Sequence, residues 1–468
     1  MKRLLYILCL CYSLFFVLSC EDADVLQNLK KDDQILTRKD YLSVLPSTVQ
    51  VGNFAGTFKL NISTNLVWNA STDDEWIHLT KTEGGKEIFV VAYDENKDIT
   101  SSRKASIKFL AKGINDVVYE KVVEIVQSDK TFVNPIAGIP DPWIIQYQGA
   151  YYTCKAHGDG INVSKSDKLT VINSTESIWK APKDNGSIKP WNTSHVWAPE
   201  LHFIDGRWYV YYAAGRPSSE SGGSYKMQRT GVLRSKTTDP MGEYEDMGMI
   251  YTGDEYSPDI VATADNTCYA IDMGVVKIGT KLYAVWSGTI SKETGGDQRI
   301  YIAEMSNPWT ISSNRVEISK PDQPWELVQP SAKVNEGPAF LQHDGKLFII
   351  YSCNGSWTKY YRLAYLMLNI GDDPMDPSNW KKSPGAVFYR CDDTVDEDGV
   401  NGVGHCCFTK SLDGTEDWIV YHVKNRNHGS YGTGRSTFIQ RFTWNTDGTP
   451  NFGTPVGWGE PLVVPSGE

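Results

Sequence analysis

Two different rhythms of apolar and polar positions run along the chain. From about Tyr41 to Gln127 short segments alternate side by side, FKLNIST, LVWNAS, EIFVVAYDEN, KASIKFLA and VYEKVVEIVQ, with Asn, Asp, Gly and Lys between them. Period-two alternation over four to eight residues marks half-buried strands, and this run predicts a small antiparallel, immunoglobulin-like β-sandwich over residues 40–129. From about Thr131 onward a longer unit recurs, an apolar strand, a Gly-centred turn and an aromatic strand: DPWIIQYQGAYYT, APELHFIDGRWYVYYA, IDMGVVKIGTKLYAVWS, EGPAFLQHDGKLFIIYS and GHCCFTKSLDGTEDWIVYH. The turn glycines are Gly149, Gly206, Gly279, Gly345 and Gly414, spaced 57 to 73 residues apart. That period suits four-stranded blades, so residues 131–468 are expected to form a five-bladed β-propeller, with a two-sheet sandwich as the competing architecture. The chain as a whole reads as all-β.

The N-terminus has its own pattern. Lys2 and Arg3 precede an apolar run from Leu4 to Leu18, too short for a membrane span and charged like a secretory signal, which residues 1–19 are expected to be. The run ends Val17-Leu18-Ser19-Cys20 and resembles the lipobox at which bacterial lipoproteins are cleaved and acylated, making Cys20 the expected lipidation site. Glu21, Asp22 and Asp24 resemble the export signal of Bacteroidetes surface lipoproteins, and residues 20–39 read as a tether. The expected location is therefore the outer membrane, at the cell surface or facing the periplasm, with the lipid as the sole membrane contact.

Net charge is -11 without a basic cluster, which excludes a phosphate-tracking surface and nucleic acid as a partner. A neutral ligand fits better. Aromatic residues make up 12% of the chain, with 15 Trp and 25 Tyr; their faces suit sugar rings as well as strand packing. The six cysteines from Cys154 to Cys407 contain no C-x-x-C pair that would suggest zinc, and no disulfide pairing follows from them.

The propeller repeat sets an ionisable residue just ahead of each hairpin strand: Asp141, Glu200, Asp272, Glu336 and His405. Equivalent positions of a propeller meet around its axis, and several acids at one mouth raise one another's pKa values, which serves catalysis rather than stability. Two carboxyl groups across a sugar are the minimum for cleaving a glycosidic bond, and a third can hold the proton donor protonated.

Taken in order, PDPWIIQYQGAYYT, HVWAPELHFIDGRWYVYYAA, YAIDMGVVKIGTKLYAVWSG, YIAEMSNPWTIS, VNEGPAFLQHDGKLFIIYS, GHCCFTKSLDGTEDWIVYH and RSTFIQRFTWNTDGTPNFG resemble glycoside hydrolase family 43, and within it the α-L-arabinofuranosidases. The resemblance implies hydrolysis with inversion, Asp141 as general base, Glu336 as general acid and Asp272 as the carboxylate that tunes and orients the acid. Many relatives have Pro after the middle Asp; Met273 stands here, so the backbone at Asp272 is open to a different course. His405 resembles a family histidine of a metal centre, usually calcium with mostly water ligands, the alternative being a hydrogen bond within the channel; the chemistry itself needs no cofactor. Arg435 resembles an arginine near the bound sugar, Trp197 is placed to stack on a sugar face or to pack within a blade, and Glu200 reads as a polar contact or loop anchor. Residues 41–127 resemble the BACON domain of Bacteroidetes carbohydrate-active proteins, through Trp68, Glu75-Trp76-Ile77, Arg103 and Val126-Gln127. The expected partner is plant polysaccharide or arabino-oligosaccharide, the reaction removal of terminal arabinose from arabinan or arabinoxylan, and the protein a monomer. β-Xylosidase and endo-arabinanase remain the alternatives within the family, and a catalytically inactive surface glycan-binding protein the alternative outside it.

Overall fold

The computed structural model describes residues 39–468 apart from 54, 99–100, 129, 188, 221–223, 294–296, 392–399 and 425–433, and apart from the side chain at 174. The expected signal segment, Cys20 and all but the end of the tether lie outside the described residues. The chain divides into two compact units after residue 129. Among the described residues no α-helix occurs; the helical pieces are three-residue 3-10 turns.

The first unit is a sandwich of two sheets. One holds Leu42–Leu45, Gly56–Thr64, Glu87–Tyr93 and Ile77–Leu79; the other holds Thr48–Val51, Val118–Gln127, Arg103–Lys112, Trp68–Ser71 and Glu83–Gly84. Alternation decides which side chains face inward: along Arg103–Lys112, Ala105, Ile107, Phe109 and Ala111 are buried and their neighbours are not. Trp68, Phe89 and Phe109 meet edge to face at 5.3 to 5.8 Å in the centre of this core.

The second unit is the five-bladed propeller. Blade I is formed by Trp143–Tyr147, Ala150–Ala156, Gly160–Ser166 and Ser174–Lys180, and blade II by Ser194–Ile204, Arg207–Gly215, Arg229–Ser235 and Tyr244–Met249. Blade III comprises Ala270–Ile278, Lys281–Gly288, Asp297–Asn307 and Val316–Ser319, and blade IV Lys333–His343, Lys346–Cys353, Arg362–Asn369 and Lys381–Lys382. Gly404–Lys410, Asp417–Lys424, Arg435–Trp444 and Pro450–Asn451 complete blade V. Each turn glycine has a positive φ, and in three hairpins the residue before it, Gln148, Asp205 or Asp344, does too. Two consecutive left-handed residues are the type I′ geometry whose twist matches that of paired strands.

Five apolar seams lie between successive blades. Cys154 and Val163 meet Leu201 and Val210 between blades I and II, and Tyr211 meets Val275 and Trp286 between II and III. Val285 meets Ile349 between III and IV, and Ile350 meets Ile419 between IV and V. Ile144 and Tyr151 pack against Cys407 and Val420, which closes blade V onto blade I. The segment ahead of blade I clasps this closure: Thr131–Val133 pairs with Pro461–Val463, and the Asn134 side chain exchanges hydrogen bonds of 2.8 and 2.9 Å with the Ile439 backbone.

Candidate active site

The inner strands of blades II to V are irregular near their channel ends, and Asp141 stands at the matching place just ahead of the inner strand of blade I. The residues there have left-handed φ: Asp141 at 47°, Ala198 at 39°, Asp272 at 53°, Gly337 at 60° and His405 at 44°. Strand register shifts at the same place in blades II to V. A bulge with one residue in this conformation turns a side chain out of the sheet toward the axis, so this is the true equivalence between blades. It corrects two positions in the register read from spacing. Glu336 precedes the equivalent residue of blade IV, Gly337, by one, and Glu200 follows that of blade II, Ala198, by two. Asp272 has nearly the φ of Asp141, although Met273 follows it where Pro142 follows Asp141.

These ends enclose a cavity of about 680 Å³, lined among others by Asp141, Asp272, Glu336, His405 and Arg435, with Trp197 on its wall. Asp141 is gripped from three sides. Arg435 forms an ion pair with its Oδ1, His405 Nδ1 lies 3.3 Å from the same oxygen, and His422 Nδ1 also lies at 3.3 Å. Burial alone would raise the Asp141 pKa, but the Arg435 guanidinium, joined by the two imidazoles, holds it well below the usual carboxylate range. Burial lowers both imidazoles, His422 to about 4, so near neutral pH they are uncharged. The balancing charge is then that of Arg435. Among the described residues His422 Nε2 is buried without a hydrogen-bond partner. His422 Nδ1 faces both the Asp141 carboxylate, at 3.3 Å, and the Asp141 backbone N–H, which donates to it at 3.4 Å.

Glu336 is in the opposite state. Burial pushes its pKa up to about 7, and the Asp141 charge adds to this, while a 2.8 Å hydrogen bond from the Tyr361 hydroxyl and the more distant Arg435 act the other way. Asp272 is raised well above its ordinary value by burial, then by Glu336, Asp141 and Glu200, against a 3.0 Å hydrogen bond donated by the Gly337 amide. One carboxylate that stays charged and one carboxyl group that keeps its proton near neutrality thus face a single cavity.

Glu200, read as a polar contact or a loop anchor, does not line the cavity. It is buried one residue past Pro199, the last lining residue of its strand, with Oε2 2.9 Å from His202 Nε2. Burial raises Glu200 well above its ordinary value and lowers His202 to about 3, so the two form a neutral hydrogen-bonded pair. The bulge explains the displacement, because it delivers Trp197 and Ala198 to the cavity and turns Glu200 inward. His405 stands with Nδ1 3.3 Å from the Asp141 carboxylate, which Arg435 already pairs, and among the described residues no three His, Cys, Asp or Glu side chains converge to hold a metal ion; calcium held mostly by water, as the resemblance implies, would ask little more of the protein than His405 itself.

Two residues of the site carried no signal of their own. His422 closes the motif WIVYH and was legible only as the end of an apolar strand; Tyr361 sits in the polar stretch SWTKYYRL. Their rings stack at 5.4 Å and 9°, joining the partner of Glu336 to the partner of Asp141.

Residues 132–450 match the family model described as Glycosyl hydrolases family 43. The chain belongs to that family. Residues 41–123 match the model described as Viral BACON domain. The family 43 unit is similar to an extracellular exo-α-(1→5)-L-arabinofuranosidase of Streptomyces avermitilis, 35% identical over 70% of this chain and 64% of that protein. It is also similar to α-L-arabinofuranosidase 43 of Humicola insolens, 35% identical over 68% of this chain and 62% of that one. The chain thus spans somewhat under two thirds of the length of these curated relatives. Among solved structures, an α-L-arabinofuranosidase from Lactobacillus brevis superposes with a TM-score of 0.60 at 33% identity, covering 69% of this chain and 97% of that one.

Proposed function

We propose that this family 43 protein is an inverting α-L-arabinofuranosidase that removes terminal arabinose from arabinan or arabinoxylan. The observation that carries the reading is the pair of opposed ionisation states on one cavity: Asp141 held charged by Arg435 and Glu336 held protonated to about 7. The arabinofuranosidases to which the chain is similar supply the choice of sugar.

In the proposed reaction a water molecule attacks the anomeric carbon while giving a proton to Asp141. The bond from that carbon to the glycosidic oxygen breaks, and Glu336 passes its proton to the departing oxygen. Arg435 and His422 aim the base, Tyr361 orients the acid, and Asp272 tunes it. Proton exchange with solvent restores both carboxyl groups. Trp197 offers an apolar face to the sugar. Acylation of Cys20 belongs to the same proposal: the protein is a lipoprotein of the outer membrane, monomeric, its tether bringing the cavity within reach of polysaccharide.

The test is hydrolysis of para-nitrophenyl α-L-arabinofuranoside and β-D-xyloside by the wild type and by Asp141→Asn and Glu336→Gln. The reading requires arabinose release that falls by about 10²–10⁴-fold in Asp141→Asn. Xylose release alone overturns the sugar, and silence on both glycosides, with oligosaccharides uncleaved as well, overturns the enzyme. For the anchor, Cys20→Ala should move the protein from the membrane fraction to the soluble one; retention in the membrane contradicts lipidation.

A further inference from the structure

The cavity wall includes an indole that the reaction itself does not use. Trp357 lines the cavity and is 43% exposed. It follows Lys346–Cys353, the strand paired with the one that bears Glu336: Ser352 lies directly opposite Glu336, and Asn335 opposite Cys353. Trp357 therefore stands only a few residues from the level of the acid, on the same blade.

The loop that carries this ring is built to hold it still. Thr358 N and Thr358 Oγ1 both bond the Gly355 carbonyl, at 2.8 and 2.9 Å, closing a tight turn around residues 355–358. Lys424, the strand partner of Arg435, donates from Nζ to the Trp357 carbonyl at 2.6 Å and ties the loop to blade V. The indole rests against the Gly355 backbone so closely that a Cβ there would come within 2.5 Å of the ring. One face of the indole is thus seated, and the rest is presented at the cavity. A large aromatic ring ordered in this way and left open to water forfeits burial that a ligand could supply, and it loses little further freedom when a flat apolar surface covers it.

Glycosidic cleavage is directional. The general acid stands beside the oxygen of the leaving group, so the sugar chain that departs lies on the Glu336 side of the scissile bond. We infer that Trp357 is the platform on which the sugar ring next to the scissile bond, on the leaving-group side, is stacked. This rests on the proposed role of Glu336 and adds to it a place for the polymer: the cleaved sugar lies between Asp141 and Glu336, and Trp357 receives the residue from which it is cut. The ligand class is a neutral oligosaccharide of at least two units, recognised by the apolar face of a sugar ring rather than by charge.

Titration calorimetry on the full chain separates the two claims. In Glu336→Gln, which keeps the cavity but lacks the proton donor, arabinotriose and arabinose are titrated with and without the further change Trp357→Ala or Trp357→Phe. The inference predicts that Trp357→Ala weakens arabinotriose about tenfold, the scale of one aromatic contact. Trp357→Phe should recover most of that loss, and arabinose affinity should move by much less than the trisaccharide. Equal weakening of arabinose and arabinotriose places the ring at the cleaved sugar and overturns the inference. So does an unchanged arabinotriose affinity, or no binding of the trisaccharide to Glu336→Gln at all. Failure of the wild type to hydrolyse any arabinofuranoside is a separate result, which removes the leaving-group assignment along with the reaction, while the calorimetry still reports whether Trp357 binds the trisaccharide.

Discussion

At the scale of single residues, the site divides two chemically similar groups by their neighbours. The Arg435 cation holds Asp141 charged, whereas burial raises Glu336 against the pull of the Tyr361 phenol. The sign of each pH effect follows. The acid must carry its proton, so kcat/KM should fall as pH rises through about 7, the value to which burial brings Glu336. The base must be charged, and because Arg435 outweighs burial at Asp141, the acidic limb should lie well below the usual carboxylate range. Tyr361→Phe removes a hydrogen bond that favours charged Glu336, so the alkaline limb of the kcat/KM profile should move up; a limb that stays put contradicts the assignment of Glu336 as the acid. Arg435→Gln removes a cation that lowers both groups, so both limbs should move up together, with the acidic limb entering the measurable range. The acids themselves were legible in the sequence because each sits in a recurring motif ahead of a Gly turn. Tyr361 and His422 were not, since their roles arise from a stack between two blades, and nothing in SWTKYYRL or WIVYH marks it.

At the scale of elements, the alternation along the strands and the five turn glycines made the blades legible, because period two and positive φ are local requirements. The inner-strand bulge was not legible. Asp141-Pro142, Ala198-Pro199 and Gly337-Pro338 hint at it, and spacing to the turn glycine aligned Glu200 with Asp141, Asp272 and Glu336 although the bulge carries it past the cavity. The bulge also makes a prediction. Gly337 combines φ 60° with a close approach, since a Cβ there would lie 3.2 Å from His405 Nδ1. Gly337→Ala should therefore cost about 1–3 kcal/mol of stability in urea unfolding of the propeller, and it should displace His405 from Asp141. An unchanged unfolding midpoint would falsify the strained-bulge account. In the sandwich, residues scattered along the sequence meet in one cluster: Arg103 lies 4.3 Å from the centre of the Trp76 ring and bonds Gln127 Oε1 at 2.7 Å. That is why single pieces of the motif were weak signals and their order was a stronger one.

At the scale of the whole molecule, the two units have separate cores, and the propeller closes on itself through the seam between blades V and I and the Asn134 clasp. Residues 130–468 produced alone should melt cooperatively and keep the arabinofuranosidase activity proposed for the full chain; a fragment that fails to fold contradicts the independence of the units. Asn134→Ala leaves the Ile439 amide and carbonyl without these partners in a buried setting and should cost about 1–3 kcal/mol, read as a lowered melting temperature of that fragment. The account of the whole molecule rests on inversion, which needs the Asp141 water and the Glu336 proton on opposite faces of one sugar, with the two carboxyl groups about 6.5–9.5 Å apart. The most direct measurement is proton NMR of the first arabinose released from an α-1,5-linked arabino-oligosaccharide, taken before the anomers equilibrate. The account predicts β-L-arabinose first, with the α form appearing only later; α-L-arabinose as the initial product would contradict it.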